Sequence, residues 1–557
     1  MDADFDLSQY KLPADRGSTG RLSKLYPVIP RNTEDVPFDI YDYEMLFNDA
    51  ETLRIISSGD TIGCFYIESP GMRSLLKRLS VNTFEGLTAA SSIIRPGVAE
   101  SGMMQEYIAR HKDPKRRKYL VKEMESVLGD TYGVMIYQED VIKVAHAIVG
   151  LSLDEADLLR RAMSGKMRSK DAMLALGQRF YQAATAKGFT REIALELWRQ
   201  IESFAGYAFC KAHSASFALL SFQVAFLKAH YTAEFMASVL SNGGGFYSSA
   251  VYIQECKRLG LTVLLPCINE SEYDYIGKSN IIRIGLMAIK HLERASCNMI
   301  IDERKQNGKY SNLENFIARV RLGYEETSSL IRCGAMDCFR KTRPALMRFL
   351  DIFLKYRKVL NDNNSYNLFD NDFVYLEKEL DTNVDYSDEE KCRIEYESFD
   401  YMVSHHPLEF YSTYLADKNI VSAVNLPNFR NRRVEMVGWY MSSKRIKTKK
   451  GEIMKFLSLE DLTGTFEAVI FPKAYERYAM LTSTMGPYIV TGRVDSDNSS
   501  NIIVDKLEVL SAVDLKADIQ LDSVDNQYFG DVEKVTDDEF RLAEKLDTKK
   551  MIKAYAG

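Results

Sequence analysis

Between residues 60 and about 240, apolar positions recur at steps of three and four with little two-residue alternation, so this part of the chain is predicted to be mainly helical. The stretch "LSLDEADLLRRAMSG" shows how. Ser152 and Glu155 form an S-x-x-E capping box, Ala156, Leu159 and Met163 share one face, and Gly165 follows the end. A helix from about Leu153 to Ser164 is expected, with Arg160 and Arg161 leaving its C-terminal half away from the apolar stripe. A pair such as Asp157 with Arg161 would hold one of these arginines, and it accounts for one better than for both.

The same period appears in "FAGYAFCKAHSASFALLSFQVAFLKAHYTAEF", from Phe204 to Phe235, where Phe217, Leu220, Val224, Leu227 and Tyr231 form the predicted buried stripe. Ser214 or Ser216 is the expected cap. Lys211 and His213 then stand at or just before a helix N-terminus, where unpaired N–H groups favour an anion such as phosphate. Capping and packing alone are the competing explanation for His213 and Ser214.

From Phe246 to Phe339 helices alternate with short strands such as "LTVLLP" and "IIRIGLMAIK". Beyond it the period changes to two. "VEMVGWYMSSKRIKTKKGEIMKFLSLEDLTGTFEAVIFP", "GPYIVTGRVDS" and "NIIVDKLEVL" read as five short strands with a basic, glycine-containing first hairpin, which points to a small barrel of the oligonucleotide-binding type. The fold class is therefore a multidomain α+β chain.

Charge adds a second layer. The whole chain of 557 residues carries 72 basic and 78 acidic side chains, a net charge of −6. From Arg110 to Lys211, however, 18 Lys and Arg face 13 Asp and Glu, a local excess suited to phosphates as well as to an ordinary solvated face. From Asn361 to Asp400 the balance reverses to 3 basic and 13 acidic, and this stretch reads as a solvated linker. The eight cysteines include no C-x-x-C pair, which predicts reduced and mostly buried thiols rather than a zinc site. An acidic N-terminus and the absence of an apolar run of about 20 residues make a cytoplasmic chain without a membrane span the expectation.

Several motifs recur in one order: "SGDTIGCFYIESPGMRSLLKRL", "IIRPGVAESGM", "YGVMIYQEDV", "LSLDEADLLRRAM", the Phe204 stretch, "IRIGLMAIK", "GKYSNLENFIARV", "LIRCGAMDCF" and "FDYMVSHHPLEFY". In order and approximate spacing they resemble the C-family bacterial replicative polymerases, the DNA polymerase III alpha subunits, over roughly residues 40 to 510.

That resemblance implies a layout: an N-terminal segment (1–34), a fingers-like nucleotide-binding domain (35–240), a helix-hairpin-helix DNA-binding region (241–345), a helical and acidic linker region (346–430), a nucleic-acid-binding barrel (431–512) and an acidic tail (513–557). It implies that Arg160, Arg161 and Lys166 meet a deoxynucleoside triphosphate, with Lys211 and His213 in the same pocket and Arg95 and Gln138 shaping it. Template–primer DNA, a sliding clamp and Mg²⁺ are the implied partners and cofactor. Leu368 and Phe369 end "SYNLFDND" as a clamp-binding peptide would, with Ser365 where such peptides usually have Gln; a residue pair packing on its own domain is the alternative.

Three departures from the family pattern stand out. Cys210 and Ala212 replace the usual Asn and Ser before the histidine, and "IKHLERAS" lacks the hairpin glycine that normally follows "AIK". The family's catalytic aspartates lie in a palm domain ahead of the fingers, and the ~40 residues before the fingers-like region leave little room for one around Asp2, Asp4 and Asp6. The chain thus reads as the portion of a DNA-directed DNA polymerase (a nucleotidyltransferase of DNA replication) from the fingers onward, binding triphosphate and DNA but needing a palm-containing polypeptide for synthesis. The rival is a non-catalytic, DNA-binding or clamp-tethered accessory protein of the same descent.

Overall fold

A computed structural model describes residues 38–94, 102–163, 170–202, 210–363, 384–448, 450–496, 498 and 500–510. Its N-terminal half is helical, as the period predicts. The helices that position the site are α1 (Ala50–Ser58), α2 (Pro70–Leu79), α3 (Phe84–Ile93), α4 (Gln138–Lys143), α5 (Leu153–Met163), α6 (Lys211–His230), α7 (Thr232–Asn242) and α8 (Ser249–Arg258). The α5 capping box is present: the Ser152 N–H donates to Glu155 Oε2 at 2.9 Å and the Glu155 N–H to Ser152 Oγ at 3.2 Å. Ala156 and Leu159 are fully buried beneath it. Gly165 lies outside the described residues.

Helix α6 runs through the middle of this half and packs along α3. Its buried face differs from the predicted stripe. Ser214, Ala218, Ser221, Ala225 and Lys228 face inward together with Phe222 and Phe226, while Leu220 is exposed and Phe217, Val224 and Leu227 are only partly covered. The reason is steric. Serine and alanine let two helix backbones approach closely, and Ser92 Oγ of α3 hydrogen-bonds Ser214 Oγ at 2.7 Å across the contact. Neither predicted serine caps the helix: Cys210 does, its Sγ accepting the His213 N–H at 3.4 Å, and Ser216 Oγ donates back to the Ala212 carbonyl at 2.9 Å.

After α8 a small sheet forms in the order β1 (Thr262–Leu264), β3 (Ile281–Arg283), β2 (Ile276–Lys278), with β1 and β3 parallel and β2 antiparallel to β3. Strand β2 lies on α7 so closely that a Cβ on Gly277 would meet the Ala233 carbonyl oxygen at 2.0 Å, so only glycine fits. Helices α9 (Arg294–Asn307), α10 (Leu313–Arg319) and α11 (Tyr324–Arg332) follow and share one continuous core with the N-terminal half.

The acidic stretch does not end as a solvated linker. Helix α12 (Asp388–Phe399) buries Cys392, Ile394, Glu395 and Phe399. Glu395 carries no cost of isolation there, because its Oε2 accepts the N–H groups of Val403 and Ser404 at 2.7 and 2.9 Å. Acidic residues dominate the first turn of α12, where the helix dipole favours them, and the charge count concealed the helix.

Strands β4 (Arg433–Lys447), β5 (Ile453–Glu460), β6 (Thr465–Ile470), β7 (Tyr488–Val494) and β8 (Asn501–Val509) close a five-stranded barrel in the order β4-β5-β6-β8-β7. The long β4 serves both sides: Arg433–Gly438 pairs with β7, and Trp439–Lys447 pairs with β5, with a bulge between Tyr440 and Ser442. Alternate residues fill the interior, Leu457 and Leu459 opposite Ala468 and Phe466, and parallel pairing of β6 with β8 closes the ring. This is the oligonucleotide-binding type of topology that the five-strand pattern predicts.

The barrel docks on the helical half. Arg73 of α2 donates from Nε to the Gly59 carbonyl at 2.9 Å and from Nη2 to Thr465 Oγ1 at 3.1 Å, and Asn498 Nδ2 reaches Ser74 Oγ at 2.6 Å.

Candidate nucleotide and nucleic-acid site

Helix α4 begins at Gln138 because Asp140, nearly fully buried, turns its carboxylate back onto the N–H groups of Ile136 and Tyr137 at 2.9 and 3.0 Å. Burial pushes that carboxyl up, against the pull of the two N–H donors. The first residues of the helix are thereby held in place, and each touches a different cation-bearing element.

Arg160 of α5 donates from Nη1 to Gln138 Oε1 at 3.0 Å. The Lys211 N–H, first in α6, donates to both Glu139 carboxylate oxygens at 3.0 and 3.2 Å, and Lys211 Nζ lies 5.5 Å over the Tyr137 ring. So Tyr137, Gln138 and Glu139 bring Arg160 and Lys211 to one place. His213 is exposed on the same first turn of α6, its ring edge-on to Phe217 with centroids 4.6 Å apart.

Asp157 holds both arginines: Arg160 at 2.8 Å, with its Nε and Nη2, and Arg161 Nε at 2.7 Å. The expectation that this pair would account for one arginine better than for both is corrected. One carboxylate has two oxygens, and the i,i+3 and i,i+4 positions lie on either side of it. Arg160 first and then Arg161 keep the Asp157 carboxyl below its ordinary range.

Lys166 and Arg95, and Leu368 with Phe369 of the clamp-like peptide, lie outside the described residues. Gln138 contacts Arg160. Glu139 and Tyr137 are residues that the periodicity and charge of the sequence do not mark, although an acidic residue in the first turn of "YQEDV" is a usable signal. Ala212 is exposed, and Cys210 presents a weakly accepting sulfur at the cap.

The bacterial DNA polymerase III alpha subunit finger domain matches residues 23–188, and a helix-hairpin-helix motif matches 260–346. DNA polymerase III subunit alpha of Staphylococcus aureus is 33% identical over 501 residues, 88% of this chain. The chain corresponds to a portion of the DNA polymerase III alpha subunit. The corresponding subunit of Staphylococcus epidermidis is 33% identical over 492 residues, 87% of this chain. The chain spans about half the length of these relatives, 45% of each.

Within the segment matched by the helix-hairpin-helix motif, His291 takes a left-handed backbone, φ 63°, in the turn "IKHLER", which holds no glycine. The turn keeps its path at the strain of a side chain in that region. The neighbouring Lys290 is anchored by its N–H to the Ser398 carbonyl at 3.0 Å and by Nζ to Asp400 at 2.5 Å, so α12 braces the hairpin.

Among the described residues no group of three or more His, Cys, Asp or Glu side chains is placed to hold a metal ion. Among the same residues no helix is long and apolar enough to cross a membrane.

Proposed function

We propose that this chain is the nucleotide- and DNA-binding portion of a cytoplasmic DNA polymerase III alpha subunit, and that Arg160, Arg161, Lys211 and His213 receive the triphosphate of an incoming deoxynucleotide. The observation that carries the reading is the contact of Gln138 with Arg160 and of Glu139 with Lys211, which gathers cations from α5 and α6 at two adjacent helix N-termini. Guanidinium groups offer paired donors to phosphate oxygens, and the unpaired N–H groups of a helix start favour an anion. Asp157 and Glu139 now occupy those donors, so a triphosphate would take over some of them and leave the carboxylates to solvent.

In this reading 35–240 is the fingers domain, 241–345 grips duplex DNA through its backbone, 346–430 links, and the barrel at 431–512 meets single-stranded nucleic acid. Arg95 and Lys166 belong to the nucleotide pocket, and Leu368 with Phe369 to a sliding-clamp contact. Nucleotidyl transfer requires metal-binding carboxylates from a palm that works with these elements.

Calorimetric titration of the full chain with a deoxynucleoside triphosphate tests the assignment. Saturable binding that Arg160→Ala weakens by about 10- to 100-fold is expected, since hydrogen bonds to charged groups contribute about 1.5–3 kcal/mol. DNA binding without any triphosphate binding would instead favour the accessory-protein reading.

A further inference from the structure

All eight cysteines are reduced, and most are inert by burial: six are buried, and desolvation pushes the thiols of Cys64, Cys333 and Cys392 each up to about 12 and Cys297 to about 11. Cys267 and Cys338 differ from the rest. They come from opposite ends of the segment matched by the helix-hairpin-helix motif, Cys267 buried just after β1 and Cys338 exposed in the single turn Asp337–Phe339.

Six hydrogen bonds hold the pair and its surroundings. The Ile268 N–H donates to the Ala335 carbonyl at 2.9 Å, tying the two backbones beside the thiols. Asn269 Nδ2 donates to Cys338 Sγ at 3.5 Å and to the Tyr310 carbonyl at 2.9 Å, while the Tyr310 N–H returns to Asn269 Oδ1 at 2.7 Å. The Cys267 N–H is fixed on Ser271 Oγ at 2.9 Å. The two sulfur atoms themselves share a hydrogen bond.

We propose that Cys267 and Cys338 are a reversible dithiol–disulfide pair, a modification site that closes a covalent loop across the helix-hairpin-helix region. A low-molecular-mass disulfide such as glutathione disulfide is the oxidant. Within the hydrogen-bonded pair the Cys338 proton passes to Cys267, and the exposed Cys338 sulfur attacks one glutathione sulfur, breaking its S–S bond and releasing glutathione thiolate, which takes that proton from Cys267. The Cys267 thiolate then attacks the Cys338 sulfur and expels the second glutathione. Two electrons pass from the protein thiols to glutathione, and two protons go with them. Cys267 suits the second step, because the thiol donated by Cys338 and the nearby Arg283 and Arg304 favour its thiolate over the opposing effect of burial. In a reducing cytosol the pair stays as thiols, and the bridge forms as the glutathione pool is oxidised.

The test is to incubate the full chain with glutathione disulfide, alkylate it, and map unreduced peptides by mass spectrometry. A linked Cys267–Cys338 peptide is expected, removable by dithiothreitol, while the five other buried cysteines react only after denaturation. Cys267→Ser should retain a glutathione adduct on Cys338 with no bridge, and Cys338→Ser should leave Cys267 reduced; circular dichroism confirms that both variants fold. Oxidation should also raise the melting temperature, because a loop of roughly 70 residues is closed in the unfolded chain. A stable glutathione adduct on Cys338 in the unmutated chain, or two thiols still open to alkylation, would overturn the proposal.

Discussion

The two ends of α6 carry lysines in opposite circumstances. Lys228, near the C-terminus, is 1% exposed, and its Nζ donates to the Asp60 and Ile62 carbonyls and to Glu255 Oε1, each at 2.8 Å. Those three partners exhaust an ammonium's three donors. Glu255 passes the charge to Arg258 Nε at 3.2 Å, and Arg258 Nη1 reaches Glu460 Oε2 of β5 at 2.7 Å, so the chain of charges ends inside the barrel wall. Lys211, at the N-terminus, is exposed and lies over an aromatic ring. Lysines on the same helix are thus sorted by their surroundings: one fastens the barrel to the helices, the other faces solvent where a ligand can reach it.

Breaking the buried end should have the largest effect. Glu255→Gln leaves Lys228 and Arg258 short of a counter-charge, and a loss of about 3–5 kcal/mol in urea unfolding is expected. An unchanged midpoint would show that the network does not hold the barrel.

The same carboxyl makes acid stability a sharper probe. Burial would raise its pKa, but Lys228 and Arg258 outweigh that and bring it from 4.5 down to about 2. Its folded value therefore lies below its unfolded one, and its contribution is complete above about pH 4.5 and disappears as the pH falls towards 2. A stability–pH curve of Glu255→Gln should lack that part of the slope.

Removing cations of the candidate site, which lies beside the exposed end, should do the reverse. Arg160→Ala is expected to change stability by no more than about 1 kcal/mol, as partly exposed ion pairs do, while weakening triphosphate binding as stated above. Large unfolding with intact binding would exchange the two roles. The smallest effect concerns the cap: Cys210→Asn should stabilise the chain by about 0.5–1 kcal/mol, because an amide oxygen accepts the His213 N–H better than sulfur does. Denaturant midpoints of the two proteins decide it.

Much of this was legible in the residues, and the failures have physical causes. The α5 capping box and the five alternating strands follow from local patterns, and both are present. The inner face of α6 was misjudged because hydrophobic periodicity favours large apolar residues, whereas close helix contact selects Ser214, Ala218 and Ser221. Nothing near Lys228 in the chain announces its burial, since Glu255 lies 27 positions away and Glu460 a further 205. At the candidate site, Arg160 and Lys211 are visible as cations in the sequence, but their convergence on Gln138 and Glu139 is a product of the fold.

Titration of one chain with a deoxynucleoside triphosphate, comparing the unmutated protein with Lys211→Ala and Arg160→Ala, tests the central claim most directly. Both substitutions are predicted to weaken binding, by about tenfold or more for Arg160→Ala, with unfolding midpoints nearly unchanged. Equal affinity in all three proteins would contradict the assignment of this end of α6 to the nucleotide.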